Sequence, residues 1–365
     1  MRVIISAGGT GGHIYPALAI VNCIKEKEPD SEFLYIGTHN RMEKDIVPKT
    51  GIPFVGIEMY GFNRKNLLKN FKTIKCLYKS KKQLKSIIKE FNPDIVIGVG
   101  GYITYPVITT AHKLGYITFI HEQNSVAGKA NLMMADSVDL IGVSLKSSMK
   151  EFPTNKVIFT GNPCGENTIK VKRIDKTTLG FTKGKKLVVV VMGSLGAENV
   201  HTFMKENIGK FSDKKYEVLY ITGKNNYEDI KSIKHPSNVK LLPYLDNLAG
   251  LFKDTDILIT RAGASTLSEI IALTVPSILI PSPFVPNNHQ YKNAMDLVKQ
   301  KAALIIEEKD LTKESMINLI DSTLNDKVLY KTMKDNLKEL GIKDSGERIY
   351  EVLKGMIMDD KKFFW

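Results

Sequence analysis

Residues 2–19 read RVIISAGGTGGHIYPALA. An apolar run breaks into four glycines with a threonine and a histidine among them, and a helical pattern follows from Pro16 to Glu28, with Pro16 near its first turn. A strand that ends in a glycine turn and leads into a helix is the building unit of a parallel α/β sheet. The same plan returns at residues 185–200, KKLVVVVMGSLGAENV. Short runs fill the space between the two: FLYIG (33–37), IPFVGI (52–57), DIVIGVGGY (94–102), YITFIHEQN (116–124), VDLIGVS (138–144) and KVIFTGNP (156–163). After the restart come YEVLYITG (216–223), NVKLLPYL (238–245), DILITRAGAS (256–265), PSILIPSP (276–283) and AALIIEE (302–308). These runs are continuous in Val and Ile rather than alternating, as in parallel strands buried on both faces. Helices fit between them, at about 64–90, at Ala264–Leu273 and at Asn288–Gln300, with a last one near 345–357. The Lys/Thr-rich stretch 164–184 reads as a linker. The expected fold class is α/β, with two doubly wound parallel-sheet domains at 1–163 and 164–344 and a C-terminal helix (about 345–365) that could join either.

Composition agrees. The chain has 365 residues, room for two ordinary domains or one large one, and is 43% hydrophobic and 25% charged, as expected of a globular protein with a full core. No apolar run approaches a membrane span, and Val3–Ala7 is too short for a signal peptide. Cys23, Cys76 and Cys164 are few and scattered, which fits a reducing cytoplasm and supplies no metal framework. The net charge of +13 calls for an anionic partner: nucleic acid, an anionic membrane surface or a polyanionic substrate.

Ligands of open parallel sheets bind beyond the carboxyl ends of the strands, where a glycine turn admits a phosphate and a helix start offers N–H donors. Turns of this kind occur at Gly8–Gly12, Gly98–Gly101 and Gly193–Gly196, with TRAGAST (260–266) a fourth candidate. The dinucleotide fingerprint fails: counted from Gly9 and Gly11, its third glycine position holds Ile14, and Gly37-Thr38-His39 closes the second strand without an acid. No phosphate-binding GxxxxGK[ST] run is present. Asp254 and Asp256 resemble a metal-binding D-x-D, but Asp256 opens a strand, at the end away from the ligand side. No other cluster has metal spacing, so no metal and no cofactor is expected.

Taken together, GGTGGHIYPALA (8–19), GVGGYITYP (98–106), HEQNSVAGKAN (121–131), MGSLGA (192–197), TRAGASTLSEI (260–270) and NNHQYKNA (287–294) resemble the MurG-type N-acetylglucosaminyltransferases of bacterial cell-wall synthesis, through nearly the whole chain. The resemblance implies two Rossmann-like domains of the GT-B type facing across a cleft. It implies inverting transfer of N-acetylglucosamine from UDP-N-acetylglucosamine to the 4-hydroxyl of lipid I, the diphospho-undecaprenol-linked N-acetylmuramyl-pentapeptide, giving lipid II at the cytoplasmic membrane face. By position, Thr10, Gly11 and Gly12 would line the site near the transferred sugar and diphosphate, and Asn124 would contact the sugar. Ser194 would lie near the donor phosphates, and Leu245 would meet the uracil through its backbone. Residues from Ala264 to Glu269 would sit under the nucleotide, with Glu269 accepting from both ribose hydroxyls, and Gln290 would bond the sugar. Two positions depart from the pattern. His289 stands where a second glutamine often occurs, and GNPCGEN (161–167) lacks the arginine that usually follows its Asn-Pro, for which Lys170 or Lys172 offers only a point charge.

Such a reaction needs a base for the attacking hydroxyl and stabilisation of the departing UDP. The helix starts at Gly193–Ser194 and Gly263–Ser265 are the anion holders expected, with the hydroxyls of Ser194, Ser265 and Thr266 as added donors and Arg261 as a cation at the same strand end. His13 follows a glycine turn near a helix start, where the dipole favours the neutral ring, so it is a candidate base. Glu122, at a strand end, is the rival.

From Arg64 to Lys85 every charge is positive, and Leu67, Leu68, Phe71, Ile74, Leu77 and Tyr78 recur between the charges at helical spacing. This basic amphipathic segment is expected to meet the anionic cytoplasmic membrane surface, with the terminal KKFFW (361–365) as a possible anchor. No nucleic-acid motif accompanies the charge, so nucleic acid is not an expected partner. Alternatives on the same fold are another UDP-sugar transferase acting on a membrane lipid, a UDP-N-acetylglucosamine epimerase, and a non-enzymatic membrane protein with a vestigial site.

Overall fold

The computed structural model describes residues 1–60, 70–193, 196–312 and 314–362, side chains at 70–75 and 360–362 excepted. It divides into two compact units, Met1–Cys164 with the chain from Asp344 onward, and Gly165–Lys343.

The first unit is built from β1 (Arg2–Ser6), α1 (Gly11–Lys27), β2 (Glu32–Thr38), α2 (Glu43–Ile46), β3 (Phe54–Ile57), α3 (Asn70–Phe91), β4 (Ile95–Gly98), α4 (Thr104–Lys113), β5 (Ile117–Glu122), α5 (Lys129–Met134), β6 (Leu140–Val143) and β7 (Val157–Phe159). The sheet order is β3-β2-β1-β4-β5-β6-β7 and every pairing is parallel. Strand residues alternate between two apolar layers. Val3, Ile5, Ile95, Ile97 and Phe119 pack with α1, while Ile4, Ile36, Val96, Ile120 and Ile141 pack with α3, α4 and α5. Both faces are thus covered, which explains the unbroken Val/Ile runs. Each of these side chains is fully buried and contributes roughly 1.5–3 kcal/mol.

Helix α6 (Pro163–Lys170) follows, where a linker was expected. The second unit continues with β8 (Leu187–Val191), α7 (Glu198–Asn207), β9 (Glu217–Ile221), α8 (Lys224–Ile230), β10 (Val239–Leu242), α9 (Leu248–Phe252), β11 (Ile257–Thr260), α10 (Ala264–Leu273), β12 (Ser277–Leu279), α11 (His289–Lys299), β13 (Leu304–Ile305), α12 (Ser315–Asn325) and α13 (Lys327–Leu340). Its all-parallel order is β10-β9-β8-β11-β12-β13. The last helix, α14 (Ser345–Lys362), packs on α1 of the first unit, where the Tyr350 hydroxyl donates to Glu28 (2.9 Å) and Lys27 pairs with Glu347 (2.5 Å).

Helix α1 begins at Gly11, not Pro16, so His13 lies in its first turn and Pro16 inside it. The amide that proline lacks would have bonded the Gly12 carbonyl, on an exposed glycine at the helix start, where water can serve it instead.

Candidate active site

In each unit the sheet order reverses once, between β1 and β4 in the first and between β8 and β11 in the second. These are topological switch points, where neighbouring strands send their chains to opposite faces and leave a crevice at the carboxyl ends. The four glycine-bearing turns read from the sequence follow these four strands.

At the first switch point the two turns touch. The Gly8 amide donates to the Gly100 carbonyl at 3.1 Å. A β-carbon on Gly101 would sit 2.4 Å from the Gly8 oxygen, and one on Gly100 would sit 2.5 Å from the imidazole of His13. Gly9, Gly100 and Gly101 have φ of 91°, 111° and 92°. These glycines therefore serve the close backbone approach of two loops. Thr10 is an exposed N-cap in extended conformation without a side-chain capping bond. The first turn, with Gly11 and Gly12, contains no acid, so its amides can face an anion.

His13 Nδ1 lies 3.1 Å from the Gly8 carbonyl oxygen. A carbonyl only accepts, so Nδ1 carries the proton, and in the neutral ring Nε2 holds the lone pair. That tautomer leaves Nε2 as the ring's basic atom.

The HEQN segment is a brace. His121 is fully buried, its Nε2–H donating to the Gly161 carbonyl (2.9 Å) and its Nδ1 accepting from the side-chain NH₂ of Gln123 (3.0 Å). Burial pushes its pKa down to about 4, so the ring is neutral. Glu122 is 2% exposed and accepts four bonds: from the Asn124 amide (2.9 Å) and side chain (3.1 Å), the Gly128 amide (2.8 Å) and the Asn131 side chain (2.8 Å). With its oxygens saturated and buried, Glu122 holds the loop that presents Asn124. Its partners lie up to nine residues further along, and only the folded loop reveals them.

At the second switch point, Gly193 and Gly196 have φ of 73° and 68°, and the Gly196 amide closes a turn onto the Gly193 carbonyl (3.2 Å). Ser194 lies outside the described residues. Gly263 caps α10, whose first turn (Ala264, Ser265, Thr266) carries no acid. The Ser265 hydroxyl is buried without a partner among the described residues. Leu245 stands partly exposed in the loop after β10.

Arg261, the cation expected at this strand end, is engaged within the protein. It pairs with Glu308, the two side chains only 12% and 5% exposed, and donates to the Ile280 carbonyl (3.1 Å). Glu308 also accepts from Asn199 on α7 (2.7 Å). The guanidinium thus ties the ends of β11 and β12 to α7, and the sequence did not announce its partner 47 residues on. Arg261→Ala would leave a buried carboxylate unpaired and is expected to cost about 3–5 kcal/mol in a denaturation experiment, much of it recovered in the double variant with Glu308→Ala. A loss below about 1 kcal/mol would mean the pair behaves as a solvated one.

Glu269, one turn into α10, has its pKa raised to about 7 by burial. Gln290 accepts from the Ser282 amide through Oε1 (2.8 Å), which turns its NH₂ away from that bond. His289 Nδ1 donates to the Pro286 carbonyl (2.9 Å), bracing a turn in which Asn287 and Asn288 adopt φ of 56° and 52°. Asp254 and Asp256 stand before β11, at the opposite end from the turns. Asp256 accepts from the Leu187 amide (2.8 Å) and pairs with Lys186 (2.7 Å), and Asp254 pairs with Arg173. Among the described residues no group of three His, Cys, Asp or Glu is placed to hold a metal. The position after Asn162-Pro163 is a buried cysteine, and Lys170 is engaged by Glu166 (3.4 Å).

Two Rossmann-like parallel-sheet units, each with its glycine turns at a switch point, make up a GT-B-type fold, and the chain belongs to glycosyltransferase family 28. The N-terminal domain of that family matches residues 3–143 and its C-terminal domain residues 187–349. The chain is 44% identical, over 98% of its length and 100% of the relative's, to a UDP-N-acetylglucosamine--N-acetylmuramyl-(pentapeptide) pyrophosphoryl-undecaprenol N-acetylglucosamine transferase of Bacillus cereus. It is 40% identical, over 98% and 99% of the two chains, to the protein of that name in Pediococcus pentosaceus. Among solved structures, that of Acinetobacter baumannii MurG superposes with a TM-score of 0.80 at 23% identity, covering 97% of this chain and 99% of that one. A putative UDP-N-acetylglucosamine 2-epimerase from Listeria monocytogenes superposes at 0.71 with 14% identity, covering 98% and 97%.

Proposed function

We propose that this chain transfers N-acetylglucosamine from UDP-N-acetylglucosamine to the 4-hydroxyl of lipid I, with inversion, giving lipid II for peptidoglycan. The observation that carries this is the 44% end-to-end identity with relatives whose name specifies that acceptor and that sugar. Fold likeness alone does not choose between transferase and epimerase, because both superpose.

In this reading His13 Nε2 takes the proton of the acceptor hydroxyl as its oxygen bonds to C1 of the sugar, and the C1–O bond to the diphosphate breaks on the opposite side. Charge on the departing UDP is held by the amides of Ala264, Ser265 and Thr266 and by the hydroxyls of Ser265 and Thr266, with Ser194 as a further donor. Glu269 accepts from the ribose hydroxyls, Leu245 meets the base, and Gln290 and Asn124 hold sugar hydroxyls. Thr10, Gly11 and Gly12 line the acceptor side. The test is UDP release from UDP-N-acetylglucosamine with and without lipid I. Release only with lipid I, with a β-linked product, is expected. Release without acceptor, or epimerised sugar, would move the assignment to the epimerase reading.

The acceptor's lipid tail would bring the protein to the anionic cytoplasmic membrane surface as a peripheral protein. No helix of the described residues is long and apolar enough to cross a membrane. On α3, Leu84 and Ile88 are buried against the sheet, whereas Tyr78, Lys79, Lys82, Lys85 and Lys89 are exposed. Leu132 and Met133 of α5, on the same side of the sheet, are also exposed, at 41% and 61%. Residues 64–69 and the last three of the KKFFW stretch lie outside the described residues. Reversing Lys79, Lys82 and Lys85 to Glu is expected to abolish binding to anionic vesicles at low salt, while neutral vesicles bind neither protein. Equal binding of both proteins to anionic vesicles would remove α3 from this role.

A further inference from the structure

Glu43, the first residue of α2, is fully buried. Its Oε1 accepts from the Thr38 amide (3.0 Å) and the Thr38 hydroxyl (2.6 Å), and its Oε2 accepts from the Gly9 amide (3.0 Å). Glycines make its space: a β-carbon on Gly8 would lie 2.5 Å from Oε1, and one on Gly37 would lie 2.7 Å from Cγ. The Gly9 N–H belongs to the same peptide group as the Gly8 carbonyl, and that carbonyl accepts from His13 Nδ1 at 3.1 Å. One peptide plane therefore has a carboxylate on its donor end and the imidazole on its acceptor end.

We propose that Glu43 is a positioning residue for the transfer reaction, holding this peptide so that His13 stays in the Nδ1–H tautomer with Nε2 as the proton acceptor. The inference rests on the reading of His13 as base. A carboxylate at the N–H polarises the amide, adds negative charge to the carbonyl oxygen and strengthens the bond from Nδ1–H. The neutral imidazole in water prefers its proton on the other nitrogen, so a base working through Nε2 needs this bias. The Tyr35 phenol donates to the adjacent Ala7 carbonyl (3.0 Å) and, buried, keeps its proton against the Glu43 charge, so it supports the same turn without competing for Gly9.

The test is Glu43→Gln, which keeps the shape but turns an NH₂ toward either Gly9 or Thr38. Expected are a kcat lower by about 100-fold, a donor KM within about two-fold of wild type, and a ¹⁵N spectrum of histidine-labelled protein in which His13 shifts away from the Nδ1–H form. Wild-type kcat with an unchanged tautomer overturns the proposal. Should the variant fail to fold, the wild-type spectrum decides, with His13 assigned as the resonance missing from His13→Asn: Nδ1–H supports the relay and Nε2–H overturns it. The two readings fail separately. Full turnover in His13→Asn removes the base itself, whereas an inactive His13→Asn beside a fully active Glu43→Gln removes only Glu43.

Discussion

His13→Ala is expected to lower turnover by about 10²- to 10⁴-fold, the range a general base supplies, while UDP affinity stays unchanged. The reasoning is positional. His13 stands in the first turn of α1, in the first unit, with Nδ1 committed to the Gly8 carbonyl. The groups assigned to the nucleotide are in the second unit, on α10 and in the loop after β10. Loss of the base should therefore register in kcat and not in calorimetric binding of UDP. Alanine removes two things at once, a brace to Gly8 and a proton acceptor. His13→Asn separates them, because its NH₂ can still donate to the Gly8 carbonyl while its oxygen is a poor base. If His13→Asn keeps wild-type turnover, the ring is a brace and the base lies elsewhere.

Glu269→Gln is expected to weaken UDP binding by about 10- to 100-fold and, in the same protein, to raise the stability of the unliganded chain at pH 8. A carboxylate receiving two ribose hydroxyls makes two charge-assisted bonds, each contributing roughly 1.5–3 kcal/mol, and a neutral amide keeps only part of that. The stability gain follows from the direction of the pKa shift. Burial raises the folded carboxyl from 4.5 to about 7, so the folded chain holds this proton more tightly than the unfolded chain does. Stability from this group is greatest below pH 4.5 and declines as pH rises through 7, by at most about 3 kcal/mol. Glutamine never ionises and escapes that cost. The linkage also makes wild-type UDP binding pH-dependent. The ribose hydroxyls select the ionised form, so affinity should be level above about pH 8 and fall as pH drops through 7. Flat UDP affinity between pH 6 and 8 in wild type, or unchanged affinity in Glu269→Gln, would contradict the ribose assignment.

Local patterns carried much of the architecture. The Val/Ile runs are strands because a parallel strand is buried on both faces, and α10 spans Ala264–Leu273 as its apolar period required. Two boundaries misled. Four glycines hid the start of α1, since glycine has no helical preference of its own, and the polar run after Asn162 concealed α6, whose stability comes from packing: a β-carbon on Gly165 would lie 2.8 Å from the Ser268 carbonyl of α10.

What the sequence determined by itself was the alternation of strands and helices, and the placing of glycine turns after β1, β4, β8 and β11, because both are written within a few neighbouring residues. Only the tertiary structure decided which charged groups are spoken for. Glu122 is saturated by its own loop, Arg261 is paired with Glu308, and Glu43 sits beneath Gly9. The physical reason is that a buried charge must find its partner wherever sheet order brings one. Sheet order joins residues 34 and 47 apart as readily as neighbours, and no periodicity records it.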